Sequence, residues 1–269
     1  MGGVMAVQTL DRGIELLRLL AEFGPEGGRL TDLQRRTGLT KPTVHRILVS
    51  LKNNALVEQV DSSKRYRLGP GIWALGFHVF NHMNELQKRC EEDLALLARK
   101  SGDTTFLVVP SGAEAICIDR HSGPYRETAF TIDIGVRRPL CVGATGIALL
   151  ASMAPSFADK IFETSQRALL DYPAPLKALR AAVTLARQSG YAFSDGTLLR
   201  EVRGVAMAVR DDQGKVIASV GIASSLARID ERRVPALLQL LRAGVRQIEK
   251  RIAVPNSGML RPRHTIAAH

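Results

Sequence analysis

Nowhere do the 269 residues run apolar for the roughly 18 positions a membrane-spanning helix needs, so no membrane partner is expected. Cysteine is scarce. Cys90, Cys117 and Cys141 are odd in number and share no C-x-x-C spacing, which excludes a disulfide framework and a zinc ribbon. A nucleophile elbow (G-x-S-x-G), a P-loop and a G-x-G-x-x-G phosphate loop are equally absent. The opening MGGVMAVQTLDRG reaches Asp11 and Arg12 before a signal-peptide core can form, so a reducing cytoplasm is the expected location. With 45% hydrophobic and 23% charged residues the composition is ordinary for a globular chain, here long enough for about two domains.

What is present in excess is positive charge, and it is concentrated. Of a net +11, the stretch 29–68 alone carries nine Lys or Arg against three acidic residues, whereas 1–28 is net negative and 69–84 has no charged residue. A basic block this short is an electrostatic footprint for a polyanion.

The local pattern around that block says how the charges are displayed. Over 7–23, Leu10, Ile14, Leu17 and Leu20 recur at helical spacing, and Gly24-Pro25 ends the helix. Thr31 reads as the N-cap of a short second helix and Gly38 as its left-handed terminus. Thr40 caps a third helix to about residue 53, with Pro42 in its first turn and Val44, Ile47, Leu48 and Leu51 inward. Two short alternating stretches, 56–60 and 66–68, flank the basic turn DSSKR. Together these form a winged helix-turn-helix over 1–68. Thr31, Lys41, Thr43, His45, Arg46 and Ser50, with Lys64, Arg65 and Arg67 of the wing, are the candidate contacts to double-stranded operator DNA.

Residues 69–84 form an uncharged apolar linker helix, expected to bury Trp73, Leu75, Phe77, Val79 and Phe80 in a dimer contact. His78 and His82 are four apart on it, a metal-ligand spacing, but lack the Glu of an H-E-x-x-H site; structural or interface histidines are the better reading, and no metal or cofactor is expected. A second domain over 85–252 begins with a helix at 85–101. Strands are expected at 104–109, 115–119 and 127–132, and a hairpin at 204–210 and 216–223. Helices are expected near 143–153, after Pro155, across 175–189 and over 230–252. A basic tail, 253–269, follows. Antiparallel hairpins with packed helices make the fold class α+β, and a small-molecule sensing domain.

Five ordered segments carry a resemblance: VQTLDRGIELLRLL, LTDLQRRTGLTKPTVHRIL, YRLGPGIWALG, RPLCVGATGIALLA and SGYAFSDG…RGVAMAVRDDQGKVIASVGIAS. Over nearly its full length the chain resembles the IclR family of transcriptional regulators. That resemblance implies a winged helix-turn-helix joined to a GAF-like effector-binding domain, dimers and often tetramers, and palindromic operators. The chain departs from the family pattern in its second domain. Cys141 and Ile147 stand where His and Lys are common, and Met207 where Cys is. Gly221 and Ala223 replace serines of glyoxylate- and pyruvate-type members, and extra residues precede Gly204. These changes point to a less polar pocket and an aromatic organic acid. The candidate effector residues are Leu140, Thr145, Gly146, Asp195, Met207, Gly221 and Ala223, with helix-start amides receiving the anion.

Two other readings compete: an architectural DNA-binding protein without effector, and a cysteine-dependent enzyme built on Cys141 and His121. The second domain argues against the first. Nothing in the sequence brings Cys141 and His121 together, so the chain is not expected to be an enzyme.

Overall fold

The computed structural model describes residues 7–125 and 133–254. The strand expected over 127–132, the tail from 255 onward, and the roles of the His78 and His82 side chains lie outside the described residues. The chain divides into two compact units, Met1–His82 and Met83–His269.

In the first unit, α1 (Gln8–Glu22) carries two apolar stripes. The buried one holds Gly13, Leu16, Leu19 and Leu20, while Leu10 and Ile14 of the expected stripe stay exposed. Helix α2 (Leu30–Thr37) starts two residues earlier than expected. The Arg29 amide donates to the Asp32 carboxylate (3.4 Å), so Thr31 lies inside the first turn and caps nothing. Gly38 ends α2 at φ 67°, the left-handed conformation that disfavours a Cβ. Helix α3 (Lys41–Asn53) follows Thr40 and buries Val44, Ile47 and Leu48 against Leu16, Leu20 and Leu33.

The wing is β1 (Val57–Gln59) paired antiparallel with β2 (Tyr66–Leu68). Gly28 exchanges both backbone hydrogen bonds with Tyr66 (2.9 and 2.8 Å) and gives the wing a third lane. The Phe23 ring covers Gly28, where a Cβ would meet it at 2.7 Å. The helices expected at 69–84 and 85–101 are one helix, α4 (Pro70–Ser101), because no breaker separates Asn84 from Glu85.

The second unit is built on one antiparallel sheet. Its strands are β3 (Thr104–Ser111), β4 (Glu114–His121), β5 (Arg137–Pro139), β6 (Ala192–Asp195), β7 (Val202–Arg210) and β8 (Val216–Ser225), in the order β5-β4-β3-β8-β7-β6. The short edge strands β5 and β6 were not foreseen, since three or four residues give too little alternation to read. Helices α5 (Gly143–Ala151), α6 (Pro155–Thr164) and α7 (Leu176–Ser189) cover one face, packing on Phe106 and Ala206. On the other face α8 (Val234–Ala253) and Leu94 and Leu97 of α4 pack on Leu107, Val205 and Val220. Strands sandwiched this way are apolar on both sides.

Just beyond α4, Asp103 is fully buried. Arg228 donates to it at 2.8 Å, and Arg233 lies 2.6 Å from its other oxygen while donating to the Ser101 carbonyl. Tyr125 stacks on Arg228, its ring centroid 3.8 Å away. Two guanidinium groups over one buried carboxylate offset the cost of removing that charge from water.

Candidate DNA interface and effector cavity

The outward face of α3 presents Lys41, His45, Arg46 and Ser50. All are exposed, and among the described residues none has an intramolecular side-chain partner. Thr43 is half-buried, its hydroxyl tied to that of Thr40 at 2.9 Å. Val49 lies on the same face, 42% exposed, and sequence reasoning missed it because a valine reads as core. An exposed methyl among polar groups is what a thymine methyl packs against.

Elsewhere in this unit four arginines are already engaged. Arg36 pairs with Glu22 (2.5 Å) and Arg35 with Asp32 (3.3 Å). On the wing, Arg67 pairs with its cross-strand neighbour Glu58 (2.5 Å), and Arg65 donates to the Gly27 carbonyl (3.0 Å). The expectation of three free cations there is thereby reduced: Lys64, in the turn at φ 56°, keeps an unpartnered ammonium among the described residues. Thr31 is exposed at the start of α2.

In the second unit a cavity of about 30 Å³ lies on the α5 face of the sheet. Phe106, Gly204, Gly221, Ala223 and Ser194 form its floor, and the first turn of α5, Gly143 to Thr145, its roof, with Leu198 closing the side. The small residues are needed for this approach: a Cβ on Gly221 would fall 2.6 Å from Thr145 Cγ2. The Thr197 hydroxyl accepts the Gly143 amide (3.2 Å) and is hydrogen-bonded to Ser194, leaving the amides of Ala144 and Thr145, two residues that line the cavity, without a described acceptor. Free amides at a helix start favour an anion.

Of the expected effector residues, Thr145, Gly221 and Ala223 meet here, and four do not. Met207 and Asp195 are on the wrong side of the pleat. Alternate residues of a strand face opposite ways, and Met207 packs on the α8 side. Asp195 pairs with Arg203, its cross-strand neighbour, in a two-pronged contact of 2.7 and 3.2 Å. Leu140 is fully buried in the core, and Gly146 is a packing glycine whose Cβ would strike the Leu140 carbonyl at 2.8 Å. Ser194, Thr197 and Leu198 were missed. The signal was the extra length before Gly204, which supplies the segment that closes the cavity.

Two family descriptions match: "IclR helix-turn-helix domain" over residues 9–61 and "Bacterial transcriptional regulator IclR C-terminal" over residues 77–250. The chain belongs to the IclR family. It is similar to the HTH-type transcriptional regulator XynR of Escherichia coli (strain K12), 28% identical over 243 residues, covering 89% of this chain and 95% of that protein. Among solved structures it resembles an IclR transcriptional regulator of Silicibacter sp. TM1040, with a TM-score of 0.72, 24% identity and coverage of 93% and 98%. A Microbacterium hydrocarbonoxydans IclR homologue, complexed with 4-hydroxybenzoate, superposes with a TM-score of 0.67 at 21% identity, covering 91% and 98%. This is therefore a DNA-binding transcriptional regulator with an α+β C-terminal domain.

IclR proteins are regulators, not enzymes, and the cysteine chemistry agrees. Burial pushes the Cys141 thiol up to about 11, so no nucleophilic thiolate forms near neutrality. His121 turns to Asp119 instead, 3.3 Å away. Among the described residues no helix is long and apolar enough to cross a membrane.

Proposed function

We propose that this IclR-family protein binds its operator in the cytoplasm as a homodimer, which can pair into a tetramer, and that an aromatic organic acid in the second domain modulates that binding. The observation that carries the effector reading is the pairing of two unpartnered α5 amides with a largely apolar cavity containing Phe106. The amides suit a carboxylate, Ser194 and Thr197 a ring hydroxyl, and Phe106 the ring itself. At about 30 Å³ the cavity holds little more than a water, whereas an apolar cavity of about 150 Å³ takes a benzene ring. Ligand entry therefore requires Leu198 and its segment to move aside. The 4-hydroxybenzoate complex of the similar fold supports an acid of this class.

The dimer reading rests on the first unit, where Leu10 and Ile14 of α1 and Trp73, Leu75, Val79 and Phe80 of α4 are all exposed. Burying each such side chain contributes roughly 1.5–3 kcal/mol, and a second copy of the chain supplies the matching apolar face. The DNA contacts are Lys41, Thr43, His45, Arg46, Val49 and Ser50 in the major groove, with Lys64 on the backbone.

The test is to titrate 4-hydroxybenzoate, benzoate, glyoxylate and pyruvate into operator-bound protein and follow DNA anisotropy. Aromatic acids are expected to change it, Leu198→Ala to lower the half-saturating concentration, and Ser194→Ala to raise it for the hydroxylated ring only. A response to glyoxylate or pyruvate alone overturns the aromatic reading.

A further inference from the structure

A groove of about 710 Å³ opens in the second unit beside the free edge of β7. Strand β6 pairs with β7 over 203–206 only, because Gly190, at φ 77°, turns the incoming chain out of the lane. Among the described residues, 207–210 of β7 are left without a strand partner on that side, about 13 Å of edge at 3.3 Å per residue. Edges of this kind are usually covered or made short.

The walls of the groove differ. The α8 wall carries Arg242 and Arg246, one turn apart, and neither has a carboxylate partner among the described residues. The opposite wall is built from Ala148, Ala151 and Ala186, too small to fill the space. Arg187 and Arg210 stand at the groove with their guanidinium groups on backbone carbonyls, so neither is neutralised. Glu249 is the groove's single acid, and its carboxylate accepts the Arg210 backbone amide at 2.9 Å. The chain itself thus places a carboxylate on an edge donor of β7.

We propose that this groove binds an extended acidic segment of another protein, added to β7 as an extra strand. The strand's two faces would meet two different walls: alternate Asp or Glu side chains face Arg242 and Arg246, and the residues between them, small and apolar, face the alanines. Main-chain hydrogen bonds to the Ala208 amide and carbonyl, the edge groups that Glu249 leaves open, supply affinity, and the arginines supply selection for acid. A partner reaching a regulator's second domain this way would act beyond operator and effector.

The test uses the full chain and a fluorescein-labelled peptide, Glu-Val-Glu-Val-Glu, followed by anisotropy in 0.15 M salt. Saturable binding is expected, weakened at least tenfold by Arg242→Glu with Arg246→Glu, two exposed positions whose exchange leaves the circular dichroism and melting curve unchanged. The same peptide N-methylated at alternate amides keeps its charge but cannot pair as a strand, and is expected to bind at least tenfold more weakly. Absence of saturable binding overturns the proposal, as does full affinity in the double variant. Equal binding of the N-methylated peptide, or competition by citrate at equal charge, makes the groove a small-anion site and overturns the strand.

Discussion

On α3 of the first unit Lys41 and Arg46 reach solvent with no carboxylate beside them among the described residues, whereas in the second unit Arg203, Arg228 and Arg233 are each committed to an aspartate. Net charge does not separate these cases, since both units are rich in arginine. Pairing does. A guanidinium already holding a carboxylate is structural, and a free one is available to a phosphate or a guanine edge. The same distinction works inside the first unit, where Arg36 and Arg67 are paired and the recognition helix is not. Most of the binding and most of the stability should therefore respond to different arginines.

The largest effect is expected where the paired cations are removed. Replacing both Arg228 and Arg233 by Ala leaves Asp103 buried without a counter-charge, a loss of about 3–5 kcal/mol. Urea unfolding should show it, with Asp103→Asn milder than the double change. Equal stability of all three proteins would mean that the burial of Asp103 is compensated elsewhere.

Next in size is Arg46→Ala. A bidentate Arg–guanine contact discriminates by roughly 1–3 kcal/mol, so operator affinity should fall about 5- to 150-fold while random DNA binding holds. Equal loss on both DNAs would reduce Arg46 to a phosphate contact. Its unfolding midpoint should not move, since among the described residues Arg46 has no side-chain partner to lose.

The start of the recognition helix was legible in the sequence because its signals are local: Gly38 ends the helix before it, Thr40 takes the N-cap position and Pro42 falls in its first turn. The cavity was less so. In RGVAMAVR both faces of the strand are buried, so hydrophobicity does not tell which residues face α5, and a one-residue error exchanges Met207 for Ala206. The pairing of Asp195 with Arg203 depends on strand register, which no spacing along the chain records.

Alkaline pH sharpens the comparison between units, because all three cysteines lie in the second. Burial pushes Cys90 and Cys117 up to about 12 and Cys141 up to about 11. A raised folded-state pKa gives stability that is complete below the unfolded value, near 9, and lost as pH rises towards the folded one. By pH 10 each of Cys90 and Cys117 should have cost on the order of 1 kcal/mol relative to pH 8. Cys90→Ala lowers stability at every pH by lost packing, so the informative reading is the slope between pH 8 and 10, expected to be shallower in the variant. An unchanged slope would place the alkaline loss on other groups.

The smallest difference lies within the wing, between a free cation and a paired one. Each phosphate contact adds about 0.9 to the slope of log affinity against log salt, so Lys64→Gln in both chains of a dimer should lower that slope by about 1.8. Arg67 is another matter, because Glu58 holds it at 2.5 Å on the neighbouring strand. Removing Arg67 alone would leave an acid facing the DNA and exaggerate its role. Glu58→Gln with Arg67→Gln removes both charges, and a pair this exposed contributes about 0–1 kcal/mol to stability. That double variant should keep the parental slope. If it loses as much as Lys64→Gln, the ion pair opens on DNA and Arg67 turns to a phosphate, and pairing in the free protein would no longer separate structural arginines from binding ones.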